Sequence, residues 1–202
     1  MQLIHNEEQI TIEKKENIMH IIFTKVDELI EQENVIFSHL LVDGVEVYED
    51  HETYIQNRLN DIMEIKIITR TSKEMIWETM QSIHEYMDRA IPALQSLVDE
   101  SYDGFTEKTW QGIDQLAEGM QWITQFITFT KTASEQPPNW SEIVSSMRTC
   151  EASFKQLLEA VEAKDQVLIS DILAYEIIPA YESLENNIAI SLQDKEYMKY
   201  VN

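Results

Sequence analysis

The chain has 202 residues, of which 44% are hydrophobic, and its 15 basic residues stand against 37 acidic ones, which gives a net charge of −22. This is the ordinary apolar fraction of a globular protein, so the chain is long and apolar enough to bury a core. Phosphate backbones and anionic lipid surfaces are bound through basic patches, and no basic run here exceeds Lys14-Lys15, so we expect no direct nucleic-acid binding and no membrane binding.

The N-terminal third begins with a strand pattern that changes to a helical one. Alternation of apolar and polar residues predicts strands at Gln2–His5 and Gln9–Glu13, with a hairpin between them. Apolar residues at helical spacing then predict one amphipathic helix over residues 16–33.

A second hairpin follows this helix. Val35–Val42 and Val45–Tyr48 are strand-like, and Asp43-Gly44 lies between them. Asp-Gly is a strong hairpin signal, because a type I′ turn needs positive φ at both central residues. A short helical piece over residues 52–59 and a last strand at Met63–Thr69 complete the predicted unit.

This order of hairpin, packed helix, Asp43-Gly44 hairpin, short helical turn and final strand resembles the ubiquitin-like β-grasp fold. The resemblance covers roughly the first third of the chain and implies a protein-binding module. No Gly-Gly follows the final strand and the chain continues, so conjugation as a ubiquitin-type tag is not implied.

From Ser72 onward the periodicity predicts only helices. A first long helix ends at Asp103-Gly104, Thr106 caps a second, a third spans Trp140–Ala163, and Asp165 caps a fourth. Four antiparallel helices joined by short loops are typical of a bundle.

The predicted fold class is therefore α+β. We expect a β-grasp-like domain over residues 1–71, followed by an all-α helical bundle domain of about four helices over residues 72–202.

The helical half contains a short internal echo. Ile91–Leu97 and Ile178–Leu184 are identical at five of seven positions, and each places a proline inside a predicted helix. The echo indicates either a duplicated helical hairpin with two proline kinks or chance similarity between bundle helices.

Several features favour a bacterial cytoplasmic protein. The segment Lys164–Pro179 resembles a segment of uncharacterised proteins from Gram-positive bacteria. The lone Cys150 cannot form an internal disulfide, which fits a reducing compartment. The N-terminus lacks the basic and apolar regions of a signal peptide, and no apolar run is long enough to span a membrane.

We find no motif that carries catalysis. His84-Glu85-Tyr86-Met87-Asp88 approximates the zinc motif H-E-x-x-H, but Asp88 replaces the second histidine. Cys150 lies next to Glu151, which opposes thiolate formation. No G-x-S-x-G elbow or P-loop is present. We therefore predict no catalytic residues, no cofactor and no metal, with His84 on a surface helix.

The second and fourth helices carry more apolar residues than one buried face needs. Two interpretations remain open: core packing within the bundle, or a surface for a partner or a second copy. The residues concerned are Trp122, Phe126, Phe129, Ile169, Tyr175 and Ile178.

The leading functional hypothesis is a non-enzymatic protein-interaction or adaptor protein that binds an unidentified protein partner or itself. We expect a homodimer that tightens with salt, because salt screens the repulsion between two acidic chains. The alternative is an acidic nucleic-acid mimic that inhibits a basic DNA- or RNA-binding protein, and an enzyme of unrecognised type is the third.

Overall fold

The computed structural model of the chain describes residues 1–13 and 17–198, apart from the side chain of Met198. The chain divides into two compact units, Met1–Ser72 and Lys73–Asn202. We call them the sheet unit and the helical unit.

The sheet unit holds five strands and two helices. In chain order these are β1 (Gln2–His5), β2 (Glu8–Thr11), α1 (Ile18–Glu33), β3 (Ile36–Val42), β4 (Val45–Val47), α2 (His51–Gln56) and β5 (Glu64–Arg70). The strands lie in the order β2-β1-β5-β3-β4, and β1 pairs in parallel with β5 while the other pairs are antiparallel.

One face of α1 forms the core of this unit with the sheet. Ile22 and Leu29 of α1 are buried in the same cluster as Leu3, Leu40 and Ile65 of the strands. This is the order of elements that the β-grasp resemblance implies, and the α+β layout is confirmed. The predicted first residue of this helix, at position 16, lies outside the described residues.

The Asp43-Gly44 turn has the predicted backbone. Asp43 and Gly44 have φ values of 46° and 86°, so both central residues are in the positive region. The Asp43 carboxylate also accepts hydrogen bonds from the backbone N–H groups of Met63 (3.0 Å) and Glu64 (2.8 Å). The turn therefore anchors the start of β5 as well as joining β3 to β4.

The helical unit continues with α3 (Ser72–Asp103), α4 (Glu107–Thr132), α5 (Trp140–Ala163), α6 (Gln166–Ile172), a π-helical segment (Leu173–Ile177), α7 (Ile178–Leu192) and α8 (Lys195–Met198). The Thr106 side chain accepts a hydrogen bond from Thr109 N–H, and Asp165 accepts one from Leu168 N–H, which confirms both predicted caps. Across the described residues, no helix combines the length and the apolar character needed to cross a membrane.

Polar side chains fix α5 against α7. Ser146 and Ser183 share a hydrogen bond of 2.9 Å between their hydroxyls, and Asn187 Nδ2 donates to Ser146 Oγ at 2.9 Å. Asn139, which precedes α5, donates from Nδ2 to Asn187 Oδ1 at 3.0 Å. Because Ser146 is buried, its hydrogen bonds to Ser183 and Asn187 help to specify how the two helices align.

The two prolines of the sequence echo occur in different helical contexts. α3 continues as one α-helix through Pro92. Before Pro179, the Ile178 N–H instead bonds to the Leu173 carbonyl, five residues earlier, which is a π-helical bond. The predicted fourth helix therefore consists of α6, the π segment and α7.

Candidate functional site

Most of the six predicted surface residues belong to the core of the helical unit. Phe126, Ile169 and Ile178 are buried, whereas Trp122 and Phe129 are partly buried and pack against the same cluster. Core packing, the first of the two interpretations, therefore describes these five residues.

Tyr175 is the sixth residue and lies on the surface with 72% of its area exposed. Three further exposed apolar side chains lie in the same region: Tyr102 at the end of α3 (53%), and Val167 (68%) and Leu168 (45%) on α6. The Tyr102 hydroxyl donates a 2.8 Å hydrogen bond to Asp171 Oδ1. Asp171 is one turn from Val167 and one turn from Tyr175, so the three share a helix side. We call Tyr102, Val167, Leu168 and Tyr175 the Tyr175 patch.

This exposure corrects one part of the sequence analysis. The helical periodicity predicts a buried stripe that begins with Val167, Leu168 and Ile172, but Val167 and Leu168 are exposed in the first turn of α6. Ile172 is buried as predicted, and Ile169, which lies off that stripe, is buried beside it. A helical stripe alone does not show where a helix extends beyond the core.

The π segment determines how Tyr175 is presented. Tyr175 is its central residue, while Leu173 and Ile177 at its two ends are fully buried. Pro179 has no N–H to donate to the Tyr175 carbonyl four residues earlier, so an ordinary α-helical bond is missing at this point. A tyrosine held between two buried anchors is well placed for recognition, and single π turns are frequent at functional sites.

Acidic residues surround the Tyr175 patch. The hydrogen bond to Asp171, followed by desolvation and by the negative charge of that carboxylate, raises the pKa of Tyr102 to about 12. Asp103, Asp165 and Glu176 are exposed in the flanking segments, against one basic residue, Lys164. The patch thus combines an apolar centre with a negative rim.

A groove lies between α3 and α4. Its volume of about 700 Å³ falls within the range of ligand pockets. Small and apolar side chains form much of its lining, with Arg89, Glu100 and Lys108 among its polar residues. Lys108 Nζ and Glu100 Oε1 form an ion pair between the two helices.

A mixed cluster of His84, Asp88 and Glu185 joins α3 to α7. His84 Nδ1 lies 2.9 Å from Glu185 Oε1, and one ligand atom from each residue lies within 4.8 Å of the other two. Glu185 could not be connected with His84 from the sequence, because the two residues are far apart in the chain and no local motif links them.

The comparisons with known proteins place the helical unit in a family. Residues 78–187, more than half of the chain, match the Domain of unknown function (DUF8042). The chain belongs to this family. Neither a curated protein nor a solved structure matches the chain.

The matched region contains the features described above. The Tyr175 patch, the groove between α3 and α4, and the His84 cluster all lie between residues 78 and 187. The sheet unit lies outside the match. The helical unit is therefore where we look for the function of the family.

Proposed function

We propose that this protein is a non-enzymatic interaction protein whose helical unit binds a basic protein partner through the Tyr175 patch. The supporting observation is the grouping of two exposed tyrosines with two exposed aliphatic side chains around Asp171. Single exposed apolar residues are ordinary on protein surfaces, but a grouped set with a polar rim is typical of an interaction site.

The chemistry of the patch suits protein recognition. Tyrosine is enriched among the residues that dominate binding energy, because its ring buries a large area and its hydroxyl still forms a hydrogen bond. The bond from Tyr102 to Asp171 restrains the Tyr102 side chain before any partner arrives. Less conformational entropy is then lost on binding.

Charge favours a basic partner over a second copy. The chain carries a net charge of −22, and a two-fold interface at the patch would bring two sets of acidic rim residues together. A partner with basic residues around its own apolar centre would instead be attracted over a distance and complement the rim. The homodimer expected from the sequence therefore becomes the competing outcome of the test.

Cys150 supports the non-enzymatic part of the proposal. Its thiol is buried, and burial is the main reason that its pKa is raised to about 12, with the charge of Glu151 adding to the effect. A thiol with such a pKa is not a nucleophile at neutral pH. As a lone buried cysteine it also supports the proposed cytoplasmic location.

Site-specific photo-crosslinking tests the proposal in cells that express the full chain. A benzophenone amino acid replaces Tyr175 or Val167, and a matched chain carries it at Leu158, which is 59% exposed on α5. We expect the same basic protein to be cross-linked from positions 175 and 167 and not from position 158.

Three outcomes would overturn the proposal. Equal cross-linking from all three positions would mean that the patch has no special role. Cross-links to a second copy of the chain would establish the homodimer. A basic partner whose binding survives Tyr175→Ser and Val167→Ser would indicate binding through acidic residues elsewhere, as a nucleic-acid mimic would bind.

A further inference from the structure

The His84 cluster has the composition of a metal site. His84 and Asp88 lie one turn apart on α3, and Glu185 on α7 faces them. Side chains four residues apart on a helix project from the same side, which is why the histidine and the aspartate converge. The cluster therefore offers one imidazole nitrogen and two carboxylates from two helices.

The imidazole of His84 has one ring nitrogen, Nδ1, whose hydrogen-bonding capacity is not satisfied by the described residues. His84 Nδ1 is shielded from solvent and has no hydrogen-bond partner among the described residues, although Glu185 Oε1 lies only 2.9 Å away. At this short distance, the oxygen must lie away from the direction in which a ring N–H would point. Nδ1 therefore has no hydrogen bond in line with its lone pair, although it lies close to the Glu185 carboxylate.

The two carboxylates also lack a basic counterpart. Within the described residues, no Lys or Arg forms an ion pair with Asp88 or Glu185, and His84 is the ion-pair partner of Glu185. Two neighbouring carboxylates repel each other unless a cation lies between them. The side chains of His84 and Glu185 are 34% and 23% exposed, whereas Asp88 is exposed, so an ion could enter the cluster from the Asp88 side.

We propose that His84, Asp88 and Glu185 bind a divalent transition-metal cation that links α3 to α7. One imidazole and two carboxylates form a ligand set suited to Zn²⁺, with bonds of about 2.0–2.2 Å. Ligand atoms bound to one such ion lie about 3–4 Å apart, so the cluster, within 4.8 Å, needs only small side-chain rotations to close around it. This revises the sequence-based prediction that His84 binds no metal.

Isothermal titration of the full chain with ZnCl2 is the first test. We expect one ion to bind per chain, and either His84→Gln or Glu185→Gln to weaken the affinity at least about tenfold. Two matched controls are His20→Gln, an exposed histidine on α1, and Glu182→Gln, an exposed glutamate one turn before Glu185. Both controls should bind Zn²⁺ like the wild type.

Histidine NMR of the wild-type chain provides a readout that needs no variant. Among the five histidines, the imidazole signals of His84 should shift most on addition of one equivalent of ZnCl2. The proposal is overturned if another histidine shifts instead, or if His84→Gln and Glu185→Gln bind Zn²⁺ as tightly as the two controls.

Discussion

The segments Ile91–Leu97 and Ile178–Leu184 share five of seven residues, and yet their surroundings differ. The first lies in an uninterrupted α-helix beside the groove, and its Ser96 hydroxyl bonds back to the Pro92 carbonyl of the same helix. The second follows a π turn, and its Ser183 hydroxyl bonds to Ser146 on α5.

From this difference we infer that tertiary contacts, rather than the proline, determine the helix type. Pro92 and Pro179 remove the same backbone donor. In the segment before Pro179, Leu173 and Ile177 are both buried, whereas Tyr175 between them faces solvent. The π turn allows Leu173 and Ile177 to be buried while Tyr175 is exposed, and this exposure makes Tyr175 part of the Tyr175 patch.

Truncation at equivalent positions of the two segments should have the largest effect. Tyr181 is fully buried and stacks on Phe154 with ring centroids 6.1 Å apart, whereas the equivalent Leu94 lines the groove. We expect Tyr181→Ala to lower the free energy of unfolding by about 4 kcal/mol and Leu94→Ala by about 2 kcal/mol. Equal losses in chemical denaturation would show that the two segments are packed alike.

Two glycines of α4 provide a second comparison. A Cβ at Gly119 would lie 1.9 Å from the Tyr86 hydroxyl oxygen, and one at Gly112 would lie 2.8 Å from Leu97 Cδ1. A leucine methyl group beside the groove can move, but the rigid Tyr86 ring packs edge-on against Trp122, with ring centroids 6.0 Å apart. We expect Gly119→Ala to cost about 1–3 kcal/mol and Gly112→Ala to be neutral or stabilising by up to about 1 kcal/mol. Thermal unfolding that ranks them in reverse would contradict this packing.

Replacement of the prolines should have a smaller effect. Pro92→Ala restores an N–H that can bond to the Asp88 carbonyl in a helix that is already α-helical, so we expect about 1 kcal/mol of stabilisation. Pro179→Ala should yield less, because an α-helical bond there requires the π turn to rearrange. If Pro179→Ala is the more stabilising change, the proline alone causes the π turn.

The smallest expected change is a shift in one tyrosine titration. Asp171→Asn removes the carboxylate that holds the Tyr102 proton, so the pKa of Tyr102 should fall from about 12 toward its ordinary value of 10.0. In the wild type the folded state holds this proton more tightly than the unfolded state, so this contribution to stability is lost as the pH rises from 10.0 through about 12. Tyrosinate absorbance against pH measures the shift, and an unchanged profile would show that the two side chains are not paired.

Local signals explain which parts of the fold could be predicted from the sequence. Strand alternation, the Asp43-Gly44 turn and the caps at Thr106 and Asp165 each depend on residues close together in the chain. The structure confirms these elements, with boundaries shifted by one or a few residues.

The candidate sites were harder to predict because they depend on distant residues. Tyr102 meets Asp171 from another helix, and Glu185 meets His84 in the same way. The exposure of Val167 depends on where the core ends, which periodicity does not encode. The surplus of apolar residues on the fourth helix drew attention to Tyr175, but it drew equal attention to Ile169 and Ile178, which are buried.

The salt dependence of cross-linking from position 175 tests the central claim most directly. A basic partner held by the Tyr175 patch and its acidic rim should be cross-linked less efficiently as salt increases, because screening weakens the attraction between opposite charges. We predict this decrease, together with loss of the cross-link in Tyr102→Ser. A cross-linked dimer of the chain that becomes more abundant with salt would contradict the proposed partner and establish self-association instead.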